Sequence, residues 1–407
     1  MSTSHARPPA WAGSLSERGA AVLQHTYARY PIEFLNGRGC QLTDSSGREY
    51  LDFTAGIAVN VLGHGHPAIV SALQKAADAL LHVSNLYWTE PMVRLAERLA
   101  EAGEMDKVFF CNSGAEAIEA SLKLARRAQP GRTRTVCFEG SFHGRTLGAL
   151  SMTAQTHYQD PFRPLLPDVH VLPFGDFDAL GEALGNAVAA VIVEPIQGEG
   201  GIRPAPPGWL ARVRELCNQS GAALIFDEVQ SGIGRTGSFF AFQEEGVLPD
   251  AVATAKALAG GLPMGALLAR GDLAETFQPG DHGSTFGGGP LVSTVANAVL
   301  DVVMEEGFLE DVSVRGQVLR SGLERIVAGH TITHSVRGRG LMQGLVLTSP
   351  VAADIVTAAQ DNGLLLCPAG SNVVRFVPPL IVTDQEISQA LEILEQVLND
   401  LGEEPSP

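Results

Sequence analysis

The sequence predicts an α/β protein: a large domain built on a mainly parallel central sheet covered by helices, joined to a smaller α+β domain. Three observations carry that prediction. Between about residues 105 and 270, short apolar runs alternate with helical stretches, the pattern of strand–helix–strand units lying side by side. From about residue 310 the pattern changes to a long helix, two strands and a closing helix. No internal repeat or low-complexity linker interrupts the 407 residues, of which 45% are apolar, enough for about two to three domain-sized units and a sizeable core.

Taken in order, residues 1–20 lack the apolar centre of a signal peptide and read as a flexible extension. Residues 21–60 are expected to join the small domain, residues 61–309 to form the large one, and residues 310–407 to complete the small one. The strands of the large domain are VFFC (108–111), TVCFEG (135–140), VHVLP (169–173), AAVIVEP (189–195), ALIFDE (223–228), AVATA (251–255) and GALLA (265–269). Their nearly unbroken apolar character is that of strands buried on both faces. Beyond them come a helix near 311–328, strands LMQGLVL (341–347) and VVRFVPP (373–379), and a helix near 384–401.

Composition narrows the function. With 28 Lys plus Arg against 45 Asp plus Glu, the formal charge is −17, which argues against nucleic-acid binding. No apolar run approaches the ~18 residues of a membrane helix. Cys40, Cys111, Cys137, Cys217 and Cys367 form no CxxC pair and are odd in number, so a disulfide framework is not indicated and a reducing cytoplasm fits. His64 and His66 have no acidic or cysteine partner nearby in sequence and read as a structural turn rather than a metal site.

The chemistry concentrates in two segments. Asp227 closes the apolar run 222–226, and Lys256 is the lone charge in AVATAKALAGG. A Lys amine that binds an aldehyde, with a buried carboxylate to keep a pyridine nitrogen protonated, is the pair a pyridoxal phosphate site requires. Such a carboxylate belongs at the C-terminal end of a parallel strand, where ligands of open α/β sheets bind. Apolar surroundings would lower the lysine pKa toward its nucleophilic form. A third segment, KVFFCNSGAEAIEASLKLARRA (107–128), runs from a strand through Ser113, Gly114 and Ala115 into an amphipathic helix, whose first N–H groups could hold a phosphate. Each segment alone also admits a plainer reading: Lys256 as a surface lysine, Asp227 as a cap, and 113–128 as an ordinary N-capped helix.

Together they resemble the class III (ornithine-type) pyridoxal-phosphate-dependent aminotransferases, and within them the N-acetylornithine branch. The resemblance rests on DFTAGIAVNVLGHGHP (52–67), NSGAEAIEASLKLAR (112–126), FHGRT (142–146), VEPIQGEGG (193–201), FDEVQSGIGRTG (226–237), AKALAGGLPMGA (255–266), HGSTFGG (282–288) and VVRFVPPL (373–380). It implies the fold type I architecture and a homodimer. Lys256 then binds the cofactor aldehyde, Asp227 faces the pyridine nitrogen, Gln230 approaches the ring oxygen, and Phe142 and Val229 sandwich the ring. Ser113, Gly114 and Ala115 form the phosphate turn, Glu228 is counted in the cofactor-binding set, and Thr285 reaches the phosphate of the neighbouring subunit. Two departures from the family pattern, Gly289 in Gly287-Gly288-Gly289-Pro290 and the segment Ala257 to Gly261, remove none of these groups, although Gly289 could loosen the turn holding Thr285.

The resemblance also implies two substrate arginines, a residue type whose fork of donors suits carboxylates. Arg145, with Ser284 nearby, takes the α-carboxylate of acetylornithine or the γ-carboxylate of glutamate. Arg375 takes the α-carboxylate of glutamate and pairs with Glu199 when the other substrate is bound. The implied reaction moves an amino group between N2-acetylornithine and 2-oxoglutarate by a ping-pong scheme, as in arginine biosynthesis. Ornithine, N-succinylornithine and a carrier-linked aminoadipate semialdehyde of lysine synthesis are the competing substrates. The acidic balance disfavours the last, since an acidic carrier would gain from a basic rim. A cofactor-binding protein without turnover is the reading outside enzymes.

Overall fold

The computed structural model describes residues 13–403. All seven strands expected in the large domain form one sheet: β4 (Lys107–Cys111), β5 (Arg134–Phe138), β6 (Val169–Leu172), β7 (Val188–Val193), β10 (Ala223–Asp227), β11 (Ala251–Thr254) and β12 (Gly265–Ala269), in the order β4-β12-β11-β10-β7-β5-β6. The pairs β10–β11, β10–β7, β5–β7 and β5–β6 are parallel. Only β12 runs against its neighbours β11 and β4. The cause is local: residues 255–264 return the chain without the long crossover a parallel partner needs. Every residue of β7, β10, β11 and β12 is buried, which is why these strands read as unbroken apolar runs.

Since β4, β5, β7, β10 and β11 share a direction, their C-terminal ends open on one edge. The segments that follow them are 112–115, 139–146, 194–199, 228–230 and 255–256, and these build the site, as expected for an open α/β sheet. Between β7 and β10, strands β8 (Ile196–Gln197) and β9 (Arg203–Pro204) form a small antiparallel ribbon.

A second sheet joins the two ends of the chain. Strands β1 (Phe34–Arg38), β2 (Gln41–Asp44) and β3 (Glu49–Asp52) form an antiparallel meander. A third sheet has the order β13-β14-β17-β16, from β13 (Thr333–Arg339), β14 (Met342–Leu347), β16 (Cys367–Pro368) and β17 (Val373–Phe376), while β15 (Leu364–Leu365) extends the meander alongside β3. Helices Phe308–Gly329 and Asp384–Glu403 occupy the stretches expected near 311–328 and 384–401. One continuous apolar cluster runs from Leu51 and Phe53 through Leu224 and Phe226 to Phe376 and Leu394. The edge that carries the site is thus packed firmly against the C-terminal sheets.

The expected flexible extension is described only in part. Residues 1–12 lie outside the described residues, but Leu15–Val22 is a helix capped by Ser14, whose side chain accepts from Glu17 N while the Glu17 carboxylate accepts from Ser14 N. This S-x-x-E capping box is written in the sequence. The helix buries none of its residues against the chain. Among the described residues, no helix is long and apolar enough to cross a membrane.

Candidate active site

Asp227 ends β10 and is buried. Its Oδ1 accepts from Val229 N at 3.0 Å, and its Oδ2 lies 2.7 Å from His143 Nδ1. His143 is fully buried and its Nε2 has no partner among the described residues. Burial alone would lower the His143 pKa, but the hydrogen bond and charge of Asp227, reinforced by Glu194, raise it above the ordinary histidine value. His143 Nδ1 can therefore donate to the Asp227 carboxylate.

Lys256 follows β11 in a left-handed conformation, φ +39°, strained for a residue with a Cβ and of a kind that clusters at functional sites. Burial lowers its amine below the ordinary lysine range and Arg375 adds to that, while Glu199, Asp227 and Glu194 oppose the shift. Opposite it, helix Gly114–Ala128 begins at Ser113, whose Oγ accepts from Glu116 N at 3.2 Å. A Cβ on Gly114 would stand 2.7 Å from Val229 Cγ1, so only glycine leaves Val229 its place in the cavity wall.

One cavity of about 430 Å³ brings together Ser113, Gly114, Ala115, Phe142, Arg145, Glu199, Asp227, Val229, Gln230 and Lys256. Behind it Arg375, on β17 and fully buried, donates to Glu199 Oε1 and to Gln230 Oε1 (3.1 Å), and its Nε lies 3.3 Å from Cys367 Sγ. Burial would raise the Glu199 carboxyl, yet the Arg375 charge and hydrogen bond hold it below the usual range. Arg145 is exposed and makes no ion pair among the described residues; its guanidinium carbon lies 3.6 Å from the centre of the Tyr158 ring and 5.4 Å from that of Phe142.

Three expected residues stand elsewhere. Glu228 faces away from the cavity, because side chains alternate along an extended strand; its carboxylate accepts from Ser231 Oγ and from Phe242 N. It serves the core behind Asp227. Ser284 and Thr285 lie in an adjoining cavity of about 320 Å³, where Ser284 Oγ accepts from Asn112 Nδ2 at 3.1 Å. Ser284 is therefore tied to the phosphate-turn segment. Thr285 is exposed. The turn histidines have separate tasks: His64 Nε2 lies 2.8 Å from Asp52 Oδ2, and His66 caps helix Pro67–Ala77.

Two residues were missed, His143 and Glu194. Glu194 is buried in the same cavity, where Oε1 accepts from Phe142 N and Oε2 from Gly198 N, both at 2.9 Å. Burial pushes its carboxyl up to about 7. The signal for it was present: AAVIVEP closes an apolar strand with an acid just as ALIFDE does. For His143, beyond its place inside FHGRT, the sequence holds no sign of contact with Asp227.

These residues fit pyridoxal phosphate. A buried lysine with a lowered pKa, a buried Asp227 backed by histidine, and a helix start at which only glycine fits share one cavity of cofactor size. The comparisons with known proteins agree. The model of the class-III aminotransferase family matches residues 22–398. An acetylornithine aminotransferase of Caldanaerobacter subterraneus subsp. tengcongensis is 47% identical over 384 residues, covering 93% of this chain and 98% of that protein. The crystal structure of N-acetylornithine aminotransferase from Stenotrophomonas maltophilia superposes with a TM-score of 0.82 at 40% identity, covering 93% of this chain and 98% of the other. An ornithine aminotransferase from Toxoplasma gondii, in which PLP partially occupies the active site, superposes at 0.91 with 34% identity and covers 95% of this chain and 93% of its own. The chain belongs to the class-III aminotransferases.

Proposed function

We propose that this pyridoxal-phosphate-dependent transaminase exchanges an amino group between N2-acetylornithine and 2-oxoglutarate, yielding N-acetylglutamate 5-semialdehyde and glutamate, as a step of arginine synthesis. The observation that carries the proposal is the unequal state of two arginines. Arg375 is already neutralised by Glu199, whereas Arg145 faces the cavity without a carboxylate partner among the described residues. A donor with a single carboxylate can use Arg145 and leave the Glu199–Arg375 pair closed. Glutamate, with two, must displace Glu199. One site thereby accepts two substrates of different charge.

When bound, the cofactor supplies an electrophilic aldehyde and an electron sink for the carbon losing its proton. Lys256 would hold the cofactor, and its free amine would move the proton at that carbon. Asp227, held by His143, would face the pyridine nitrogen and favour its protonated form. Phe142 and Val229 would hold the ring between them, Gln230 would lie toward the ring oxygen, and Ser113, Gly114 and Ala115 would hold the phosphate, all from the walls of one cavity.

The homodimer and the division into domains at residues 61 and 309 belong to the same proposal. Leu86 and Trp88 are 83% and 88% exposed, and their segment is tied to the Thr285 loop because Asn85 Nδ2 donates to Ser284 O and Gly287 O. An apolar face of this kind supports a second copy, with Thr285 reaching its phosphate. Five free cysteines fit a reducing cytoplasm. Steady-state rates with N2-acetylornithine, ornithine, N-succinylornithine, 4-aminobutyrate and a carrier-linked aminoadipate donor test the proposal. Acetylornithine is expected to give the highest kcat/KM, and clear preference for another donor would overturn the substrate assignment.

A further inference from the structure

Arg145 is exposed at the cavity mouth, and a flexible arginine there would select carboxylates poorly. Its surroundings restrict it from three sides. Glu119, on the helix that begins at the phosphate turn, directs a single carboxylate oxygen at three donors: Thr146 Oγ1 at 2.6 Å, Gly148 N at 2.9 Å and Ala149 N at 3.1 Å. These flank Arg145 on its C-terminal side. A Cβ at Gly148 would come within 2.8 Å of the Glu119 carboxyl carbon, so glycine at 148 is what lets the carboxylate reach the backbone. On the N-terminal side, Gly144 adopts φ +134° and a Cβ there would lie 2.7 Å from Ala115 Cβ. The backbone next to Arg145 is therefore bonded to this helix on one side and packed closely against it on the other. The guanidinium then lies over the Tyr158 ring at 3.6 Å, an attraction that holds its plane and leaves its N–H edge free.

We propose that Glu119 is the positioning residue that aims Arg145, with Tyr158 as the plate under its guanidinium, so that together they set the enzyme's demand for a carboxylate on its amino donor. The proposal rests on the reading of Arg145 as a substrate carboxylate site. Neither Glu119 nor Tyr158 touches the reacting atoms; both act through the position of a charge. Because a misplacement of about 1 Å can cost roughly 100-fold in rate, loosening this anchor should fall selectively on donors whose carboxylate Arg145 must meet.

The test compares two donors on the purified holoenzyme: N2-acetylornithine, and N-acetyl-1,4-diaminobutane, the same amine without its carboxylate. Glu119→Ala and Tyr158→Ala are expected to lower kcat/KM for acetylornithine about 10- to 100-fold, mainly through KM, and to leave the carboxylate-free amine within about twofold of the parent enzyme. Glu119→Gln keeps a carbonyl oxygen for the same donors and should restore most of the loss. Calorimetric binding of glutarate should weaken in parallel in the two alanine variants, a readout independent of turnover. Arg145→Ala serves as reference. If it fails to separate the two donors, the arginine reading falls. If it separates them while both Glu119→Ala and Tyr158→Ala do not, or if those two lower both donors equally, the positioning proposal is overturned.

Discussion

Glu199→Gln offers the sharpest perturbation of the two-substrate scheme, because it removes a charge while keeping an oxygen that can accept from Arg375. In the structure Arg375 is fully buried, and its other contacts are Gln230 Oε1, Cys367 Sγ and Pro368 O, none of them an ionised carboxylate. At an effective dielectric near 20, a contact ion pair contributes about 4 kcal/mol. With part of this retained by the remaining hydrogen bonds, a net loss of about 2–3 kcal/mol corresponds to roughly 30- to 150-fold in rate. The loss is expected only in the acetylornithine half-reaction, during which Glu199 must neutralise Arg375. Glutamate brings its own carboxylate to Arg375 and no longer has to displace Glu199, so its half-reaction should hold its rate or gain. Each half-reaction can be followed singly through the absorbance of the bound cofactor under single-turnover conditions. Equal losses in both half-reactions, or an unchanged ratio between them, would refute the switch.

Three further perturbations address the other parts of the site. Lys256→Ala should still bind pyridoxal phosphate, but without an imine, with transamination down at least ~10³-fold; cofactor retained through borohydride reduction and denaturing gel filtration would contradict the assignment. Gly114→Ala places a methyl group 2.7 Å from Val229 Cγ1; at about 1–3 kcal/mol for overpacking, cofactor affinity in equilibrium dialysis should fall roughly 5- to 150-fold and recover in the Gly114→Ala/Val229→Ala pair. Glu228→Gln concerns pH. Burial raises the Glu228 carboxyl from 4.5 to about 7, so between those values the folded protein keeps a proton that the unfolded chain releases, and this group's contribution to stability declines as pH rises through that window. The variant should therefore lose less Tm between pH 4.5 and 7 than the parent, and parallel curves would rule the argument out.

The large sheet was legible because its chemistry is linear: seven apolar runs became seven strands, and the acid at the end of ALIFDE became the buried Asp227. Relations across the sheet were less visible. Nothing in FHGRT announces that His143 meets Asp227, since the two are 84 positions apart. Glu194 was readable by the same acid-after-strand rule that found Asp227. The helix at 15–22 was readable too, from Ser14 and Glu17, but the absence of an apolar stripe hid it: none of its residues is buried, so the packing that makes helices conspicuous is weak. Glu228 shows the opposite limit. Adjacency to Asp227 suggested a shared task, whereas strand alternation turns its side chain into the core.

The site's charges also explain how a lysine can be both buried and reactive. Three carboxylates surround Lys256, and each is already engaged. Asp227 faces His143, Glu199 holds Arg375, and Glu194 accepts two backbone N–H groups. A carboxylate with its own cation offers a neighbour only the residue of two opposed fields, so the attraction of Lys256 to these acids is weaker than their number suggests. Desolvation then dominates, and the amine pKa falls rather than rises. The pairs His143–Asp227 and Arg375–Glu199 thus have a second consequence beyond holding their own partners: they leave less of each carboxylate's field to oppose desolvation at Lys256, the condition its chemistry requires.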